Sequence, residues 1–170
     1  MTRVRPLSRA RARLFALAVA AMALASCLAI PNASGDVSHA GWPHTVTVAF
    51  AGNPGAVMNG TDGNDMLLGG PGSDTIRGGP GNDIIWGDRY PSPNGPSQTD
   101  WLYGGSGNNW IYTSHGTNHV FTGPGNNHVF AYFGRGTIDC GHGHNIVTLS
   151  KTASHHYTLT GCEVVQIGYP

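Results

Sequence analysis

The sequence predicts an all-β protein, a solenoid in which nine-residue units stack turn upon turn between short capping strands. Three observations lead to this fold class. Aspartate recurs every nine residues, at Asp65, Asp74 and Asp83. A glycine stands two positions before each aspartate, and an aliphatic residue stands two positions after it. The spacing continues in a weaker form to about Leu149, and a fixed period of this kind is typical of repeat architectures.

Residues 1–34 are predicted to be an export signal rather than part of the fold. MTRVRPLSRARAR carries five arginines and is followed by the apolar run LFALAVAAMALAS, which is the order of a secretory signal. The run is short for a membrane-spanning helix. LASC, which ends at Cys27, resembles the lipobox of bacterial lipoproteins, in which this cysteine would carry the lipid anchor. Ordinary cleavage after Ala25, after Ala29 or near Ser34 is the alternative, and the sequence leaves the choice open.

Loss of the leader would change the charge of the chain. The whole sequence has nine lysine and arginine residues and nine acidic residues, and five of the basic ones lie in the leader. Four basic and nine acidic residues would remain, a net charge of −5. This excess of acid argues against a nucleic-acid partner and suits a cation ligand.

Residues 35–58 and 150–170 are predicted to be the N-terminal and C-terminal capping segments. Strand-like alternation of side chains occurs at 45–50, 157–159 and 163–167. The open end of a solenoid exposes unpaired strand edges, so covering segments are expected there. Beyond the leader, no stretch has a convincing helical pattern.

Residues 59–149 form the repeat region. If the aspartate is position six, units begin at Gly60, Gly69, Gly78, Gly87, Gly104, Thr113, Thr122, Ala131 and Cys140. The region divides into an Asp-rich part (60–88), a proline-rich insertion (89–99) and an Asn-rich part (100–149). The insertion interrupts the fourth unit, which resumes at QTDWLY with Asp100 at position six.

Position eight of the repeat is aliphatic in all nine units. The column reads Leu67, Ile76, Ile85, Leu102, Ile111, Val120, Val129, Ile138 and Val147. Successive side chains of a strand point to opposite faces, so position eight points inward while positions seven and nine point outward. One unit cannot bury its single aliphatic residue alone, and the units must therefore stack to form a core.

The Asp-rich units match a known repeat over their full length. GGPGSDTIR and GGPGNDIIW fit the pattern G-G-x-G-x-D-x-U-x, and GTDGNDMLL departs from it only at Thr61. These units resemble the RTX (haemolysin-type) calcium-binding nonapeptide repeat. The resemblance implies a parallel β-roll with two nonapeptides per turn, and Ca²⁺ ions between turns that stack on the same edge.

The residue types of the turns suit this cation. Calcium prefers six to eight hard oxygen ligands, and glycine permits the left-handed backbone that directs successive carbonyls to one point. With 18 residues per turn, as the resemblance implies, Asp65 pairs with Asp83. Carbonyls of turns 60–63 and 78–81 would add ligands. The glycines of these two turns are Gly60, Gly63, Gly78, Gly79 and Gly81. Asp62 lies where the family uses a carbonyl, so its side chain is only an additional candidate.

A second calcium site is predicted on the other edge. It would pair Asp74 with Asp100 and use carbonyls of the turn that contains Gly70 and Gly72. The insertion replaces the turn before Asp100, which weakens this site, and Asp88 is a candidate to restore it.

The later units carry asparagine where the earlier ones carry aspartate. These residues are Asn109, Asn118, Asn127 and Asn145, and Asn108 and Asn126 stand directly before two of them. Neutral amides supply no charge, but stacked asparagines can hydrogen-bond along a solenoid as a ladder. We therefore expect the Asn-rich units to fold without calcium.

Two other groups of side chains have alternative interpretations. His142, His144, His155 and His156 lie near Cys140 in the sequence and could bind zinc or copper, although exposed turn histidines are the simpler interpretation. Aromatic residues at the outward positions are Trp86, Trp101, Tyr103, Trp110, Tyr112, Phe121 and Phe130. They could bind a glycan or a protein partner, or pack on one another along the strands.

Cys140 and Cys162 are predicted to form a disulfide. Lipidation would use Cys27 and cleavage beyond it would remove it, so both routes leave two cysteines in an oxidising compartment. Cleavage after Ala25 would instead leave an odd thiol.

Together these features predict a calcium-binding β-roll protein that is secreted or anchored to the cell surface, with membrane contact only through a lipid anchor. The alternative is an extracellular adhesin or binding module that uses the outward aromatic residues. No enzymatic activity is expected, because H-E-x-x-H and G-x-S-x-G do not occur and the segment before the repeats is short. The sequence identifies no protein or glycan partner.

Overall fold

The computed structural model describes residues 33–35, 41–44, 46–52, 54–89 and 97–169; Cys27 and most of the predicted leader lie outside these ranges. The described residues belong to one compact unit, Pro31–Pro170. They form fourteen strands and one 3₁₀ turn, Ala153–His155. Within these ranges there is no α-helix, and thus no helix long and apolar enough to cross a membrane.

The strands alternate between two sheets as the chain advances. They are β1 (Ala33–Gly35), β2 (Val46–Phe50), β3 (Val57–Asn59), β4 (Asp65–Leu68), β5 (Thr75–Pro80), β6 (Ile84–Trp86), β7 (Thr99–Ser106), β8 (Trp110–Tyr112), β9 (Thr117–Phe121), β10 (His128–Ala131), β11 (Arg135–Asp139), β12 (Ile146–Ser150), β13 (Tyr157–Thr160) and β14 (Val164–Tyr169). Sheet A has the order β1-β2-β4-β6-β8-β10-β12-β14, and sheet B has the order β3-β5-β7-β9-β11-β13.

Every strand pair is parallel except β1 with β2, which is antiparallel. The chain therefore winds as a parallel β-roll of about six turns, with one strand in each sheet per turn, and the predicted fold class is confirmed. The strand-like stretches 157–159 and 163–167 fall in β13 and β14, and 45–50 corresponds to β2 except for Thr45, which is not described.

The register of the strands follows the repeat. In sheet A, Leu67 lies beside Ile85, and Ile85 lies beside Ile111. The first step spans 18 residues and the second spans 26, because the eight residues of YPSPNGPS are inserted between them. The register of sheet A therefore continues across the insertion without a shift.

The inward column of position eight forms the core. All nine of its residues are at most 1% exposed. At the N-terminal end, Ala49 and Met58 extend the column at 8% and 3% exposure. Burial of one such aliphatic side chain contributes about 1.5–3 kcal/mol, so stacking of the units supplies the driving force that a single unit lacks.

A smaller apolar cluster lies on the outer face of sheet A. Val46, Met66 and Ile84 are buried there, with Trp42 and Tyr112 among the side chains packed against them. The indole Nε1 of Trp42 donates a hydrogen bond to the Tyr112 hydroxyl at 3.0 Å. The segment that contains Trp42 therefore covers the outer face of the first turns.

The outward aromatic rings stack along the solenoid. In-register parallel strands place equivalent positions about 4.8 Å apart, which suits ring stacking. In sheet A the ring centroids of Trp86 and Tyr112 are 4.4 Å apart, and those of Tyr112 and Phe130 are 4.6 Å apart. In sheet B those of Tyr103 and Phe121 are 5.0 Å apart. The rings consequently cover one another's faces.

At the C-terminal end, Cys140 and Cys162 lie in the geometry of a disulfide, with their Cα atoms 5.0 Å apart. Cys140 precedes β12 and Cys162 precedes β14. A bond between them would fix the turn between β13 and β14 to the turn below it.

Candidate metal centres

The turns of the solenoid stack along two edges, and position six of the repeat lines both. The first edge carries Asp65, Asp83, Asn109, Asn127 and Asn145, and the second carries Asp74, Asp100 and Asn118. All eight side chains are at most 2% exposed. Position six lies two residues before the inward position eight, so the strand alternation directs it inward as well. The repeat therefore buries its aspartates rather than displaying them.

The first edge brings Asp65 and Asp83 together. The Asp65 backbone N donates to Asp83 Oδ1 at 2.9 Å, and the Asp65 carboxylate accepts a hydrogen bond from the backbone N of Thr61 at 2.7 Å. Asp83 Oδ2 is buried and accepts no hydrogen bond. A buried carboxylate oxygen without a donor is costly unless a cation compensates it. This atom is the clearest sign of a ligand at this edge.

Two glycine-rich turns, 60–63 and 78–81, are stacked against each other at this site. The predicted glycines Gly60, Gly63, Gly78, Gly79 and Gly81 all lie in them. Gly81 has a φ of 130°, and a Cβ atom there would lie 2.2 Å from the Gly63 carbonyl oxygen. Only glycine permits this approach, which keeps the carbonyl oxygens of one turn against the next.

The second edge gathers three carboxylates. Asp74, Asp88 and Asp100 are buried, and one oxygen of each lies within 4.8 Å of the others. Across the part of the chain that the structure describes, this is the one group of three or more acidic, histidine or cysteine side chains placed so closely. Gln98 Nε2 donates to Asp88 Oδ2, so the two ends of the insertion meet at this group. Asp88 thus joins the site that the sequence assigned to Asp74 and Asp100.

Both carboxylate oxygens of Asp74 and both of Asp100 accept hydrogen bonds. Asp74 Oδ1 accepts from the Ala56 backbone N at 2.6 Å, and its Oδ2 accepts from the Gly70 backbone N at 3.1 Å. Asp100 Oδ1 accepts from the Asp74 backbone N at 2.9 Å, and its Oδ2 accepts from the Ser114 hydroxyl at 2.6 Å. These hydrogen bonds set the orientation of the Asp74 and Asp100 carboxylates in the folded turn.

Burial makes these carboxyl groups reluctant to ionise. It raises the pKa of Asp83 to about 7, and the nearby charge of Asp65 raises it further against a backbone hydrogen bond. It likewise raises the pKa of Asp100 to about 7 and that of Asp74 to about 6, with the charge of Asp88 as a smaller contribution. A divalent cation at either edge would remove this penalty, because it favours the ionised form.

Two of the Asn-rich turns at the first edge satisfy their carbonyls with side-chain amides, whereas the Asn109 Nδ2 is buried without a hydrogen-bond partner. Asn127 Nδ2 donates to the Gly123 carbonyl at 3.3 Å, and Asn145 Nδ2 donates to the Cys140 carbonyl at 2.6 Å. Asn127 Nδ2 also donates to Asn145 Oδ1 at 2.9 Å, which is one link of the amide ladder expected from the sequence. An amide donor here supplies locally the positive partial charge that a cation would supply in the Asp-rich turns.

A second ladder at the first edge contains Asn108 and Asn126, which the sequence placed among the stacked asparagines, and extends to Asn64 and Asn82, which it did not. The side-chain oxygen at position five accepts a hydrogen bond from the backbone N of position five in the next turn. The pairs, donor first, are Asn82 and Asn64, Asn108 and Asn82, Asn126 and Asn108, and His144 and Asn126, at 2.8–3.1 Å. The position-six ladder runs in the opposite direction. The sequence signal for this ladder is the asparagine at position five of alternate units, at Asn64, Asn82, Asn108 and Asn126. The nonapeptide consensus leaves position five unspecified.

The remaining candidate ligands are Asp62, the turn that contains Gly70 and Gly72, and the histidine-rich segment. Asp62 is exposed at the tip of its turn. A Cβ atom at Gly72 would lie 1.4 Å from the Pro54 carbonyl oxygen, so this turn also packs closely on the one before it. The histidine-rich segment forms no comparable cluster among the described residues, and His144 Nδ1 instead contacts Glu163 Oε2 at 2.6 Å on the surface.

A parallel two-sheet solenoid with stacked glycine turns and buried aspartates defines the class of metal-binding β-roll proteins. A family model of the RTX calcium-binding nonapeptide repeat matches this chain in four copies, over residues 59–89 and 97–129. These segments of the chain belong to the RTX repeat family, and the resemblance read from the sequence is confirmed. No curated protein and no solved structure matches the chain significantly.

Proposed function

We propose that the protein is an exported, non-catalytic β-roll that binds Ca²⁺ at both edges of its Asp-rich turns and requires the ion to order them. The observation that carries this proposal is the group of three buried carboxylates, Asp74, Asp88 and Asp100, within 4.8 Å of one another in RTX repeats. Three like charges at such distances repel in a buried site, and a divalent cation converts that repulsion into attraction.

The donor set fits calcium better than a softer metal. Carboxylates and backbone carbonyls are the ligands that calcium prefers, whereas zinc and copper favour histidine and cysteine. Asp65 and Asp83 would hold the ion at the first edge, together with carbonyls of the two stacked glycine turns. Asp74, Asp88 and Asp100 would hold it at the second edge, where Asp88 makes up for the turn lost to the insertion.

The role of the ion would be structural. Binding at one site by an ion at ten times its dissociation constant would stabilise the fold by about 1.4 kcal/mol. Extracellular calcium modules bind at about 10⁻⁴–10⁻³ M, which suits a protein that meets calcium only after export. Export itself is supported by the arginine-rich leader with its apolar run, and Cys27 remains the candidate for a lipid anchor.

The stacking of the aromatic rings weighs against the adhesin alternative. Glycans pack against ring faces, but the faces of Trp86, Tyr112 and Phe130 are covered by their neighbours in the column. Trp42 covers part of the same surface through its contact with Tyr112. The aromatic columns are thus better explained as packing along the strands.

Calorimetric titration of calcium-depleted protein tests the proposal. We expect two calcium ions per chain, one lost in Asp83→Asn and the other lost or weakened at least tenfold in Asp88→Asn. Asp139→Asn, which removes an exposed charge outside both sites, is the matched control and should bind as the wild type does. Absence of calcium binding at millimolar concentrations would contradict the proposal.

A further inference from the structure

The last strand of sheet A leaves the core open. Val165 continues the inward column beside Val147, and Ile167 lies beside Leu149. Val147 and Leu149 are 0% and 2% exposed, whereas Val165 and Ile167 are 45% and 58% exposed. The same inward positions are thus buried in β12 and uncovered in β14, because no described strand follows β14 in sheet A.

The opposite end of the solenoid differs. There the inward-facing Ala49 and Met58 are only 8% and 3% exposed, and β1 pairs with the outer edge of β2. Val57, the most exposed apolar residue of that end at 69%, flanks the inward Met58 and so points outward by the strand alternation. The exposed core at β14 therefore has no complement at the N-terminal end.

The β14 edge also carries none of the usual protection against strand pairing. Its sequence VVQIGY contains no charged residue and no proline. Natural sheets commonly guard their edges with such residues. A register shift after Ile167 distorts the edge at Gly168, which limits regular pairing to the segment before it.

We propose that β14 is the interface of a twofold-symmetric homodimer, in which it pairs antiparallel with β14 of a second copy. A twofold interface places the same patch on both partners, so an edge without a complement elsewhere can complement itself. Opposite residues in an antiparallel pair share a face. A register centred on Gln166 places Val165 opposite Ile167 of the second copy, and each inward side chain meets an inward side chain.

The consequence of this register is a continuous core across two solenoids. The uncovered ends of both cores face one another, and the two sheets A join edge to edge. The Gln166 side chains of the two copies lie opposite each other on the outer face, where their amides can hydrogen-bond. A head-to-tail filament is disfavoured, because the N-terminal end offers a covered core.

The contact is the end of a narrow solenoid and is therefore small. Interfaces of this size lie at the weak, transient end of the range of specific contacts. We expect the purified protein to dimerise reversibly, with the dimer prevailing at about 100 µM and the monomer at about 1 µM.

Sedimentation velocity in calcium-containing buffer measures this equilibrium. Ile167→Lys places a charge in the shared core and should raise the dissociation constant of the dimer at least tenfold. The circular dichroism spectrum should stay unchanged, because Ile167 is exposed in the monomer. Val57→Lys is the matched control, since it puts the same charge on an exposed aliphatic residue at the opposite end of the solenoid, and it should dimerise normally. A wild-type protein that stays monomeric at 100 µM, or a dimer that both variants disrupt equally, would overturn the proposal.

A cysteine cross-link tests the register independently. Opposite residues of an antiparallel pair have Cβ atoms about 4.5–5.5 Å apart, so Gln166→Cys should form an intermolecular disulfide under oxidising conditions. Thr148→Cys lies one strand further from the axis and faces outward like Gln166, about 14 Å from its counterpart, and should not cross-link. Efficient cross-linking of the second variant, or of neither, would contradict the proposed pairing.

Discussion

We propose that one position of the repeat decides whether a turn depends on calcium. Position six is buried in every turn where it is aspartate or asparagine, and its backbone and side chain join one turn to the next. With aspartate, the turn gains a charge that needs compensation. With asparagine, as at Asn127 and Asn145, the side chain donates to turn carbonyls and leaves no charge behind.

Asp83→Asn should therefore separate calcium binding from folding. The variant loses the buried Asp83 Oδ2 that has no hydrogen-bond donor, and it gains an amide that can donate as Asn127 does. Calcium affinity at the first edge should fall at least tenfold. In chelator at neutral pH the free energy of unfolding should be unchanged or higher, because asparagine removes a carboxyl group that burial makes costly to ionise in the folded state. A large loss of stability in chelator, measured by urea denaturation, would show that the carboxylate acts as more than a cation ligand.

The pH dependence of stability should reverse with calcium. Without the ion, Asp83 has a folded-state pKa of about 7 and Asp74 one of about 6, both above the ordinary 3.8. Between about pH 4 and 7 the unfolded chain then ionises these groups more readily than the folded one, so the free energy of unfolding falls as pH rises. With saturating calcium, protons compete with the ion and stability should instead rise over this window.

Thermal denaturation at about pH 5 and pH 8, in calcium-depleted and calcium-saturated buffer, measures both trends. We expect the melting temperature to be higher at pH 5 without calcium and higher at pH 8 with it. The same pH trend in both buffers would contradict the assignment of these carboxylates as calcium ligands.

At the scale of the strands, the inward column should dominate stability. Ile111 is 0% exposed at the middle of sheet A, and Ile111→Ala should cost about 2–5 kcal/mol because it leaves a cavity between two packed turns. Val57→Ala is the control at a 69% exposed position and should stay within about 0.5 kcal/mol. Equal losses in urea denaturation would mean that the aliphatic column is not the core.

The strands and their inward residues could be predicted because the repeat itself encodes them. A column that is always aliphatic, preceded by glycine turns, specifies both the strand and its buried face. The roles of Gln98 and Ser114 at the second edge could not be predicted, because their contacts with Asp88 and Asp100 join positions that the nonapeptide period does not relate. The burial of Met66 could not be predicted either, because the cluster that buries it includes Trp42, which lies outside the repeat.

At the scale of the whole molecule, the C-terminal end should be held by a covalent bond. Cys140 and Cys162 are in disulfide geometry, and closing a loop of 22 residues would stabilise the fold by about 3 kcal/mol. Peptide mapping of the unreduced protein should recover the two cysteines in one linked fragment. Two free thiols in protein purified from its oxidising compartment would refute the bond.

The central claim is an asymmetry along the solenoid, in which turns 60–88 need calcium and turns 104–145 do not. Hydrogen exchange followed by mass spectrometry, with calcium and with chelator, tests it most directly. In chelator the amides of turns 60–88 should exchange rapidly while those of turns 104–145 stay protected, and added calcium should protect the first set only. Uniform protection of both parts, unchanged by calcium, would contradict the account.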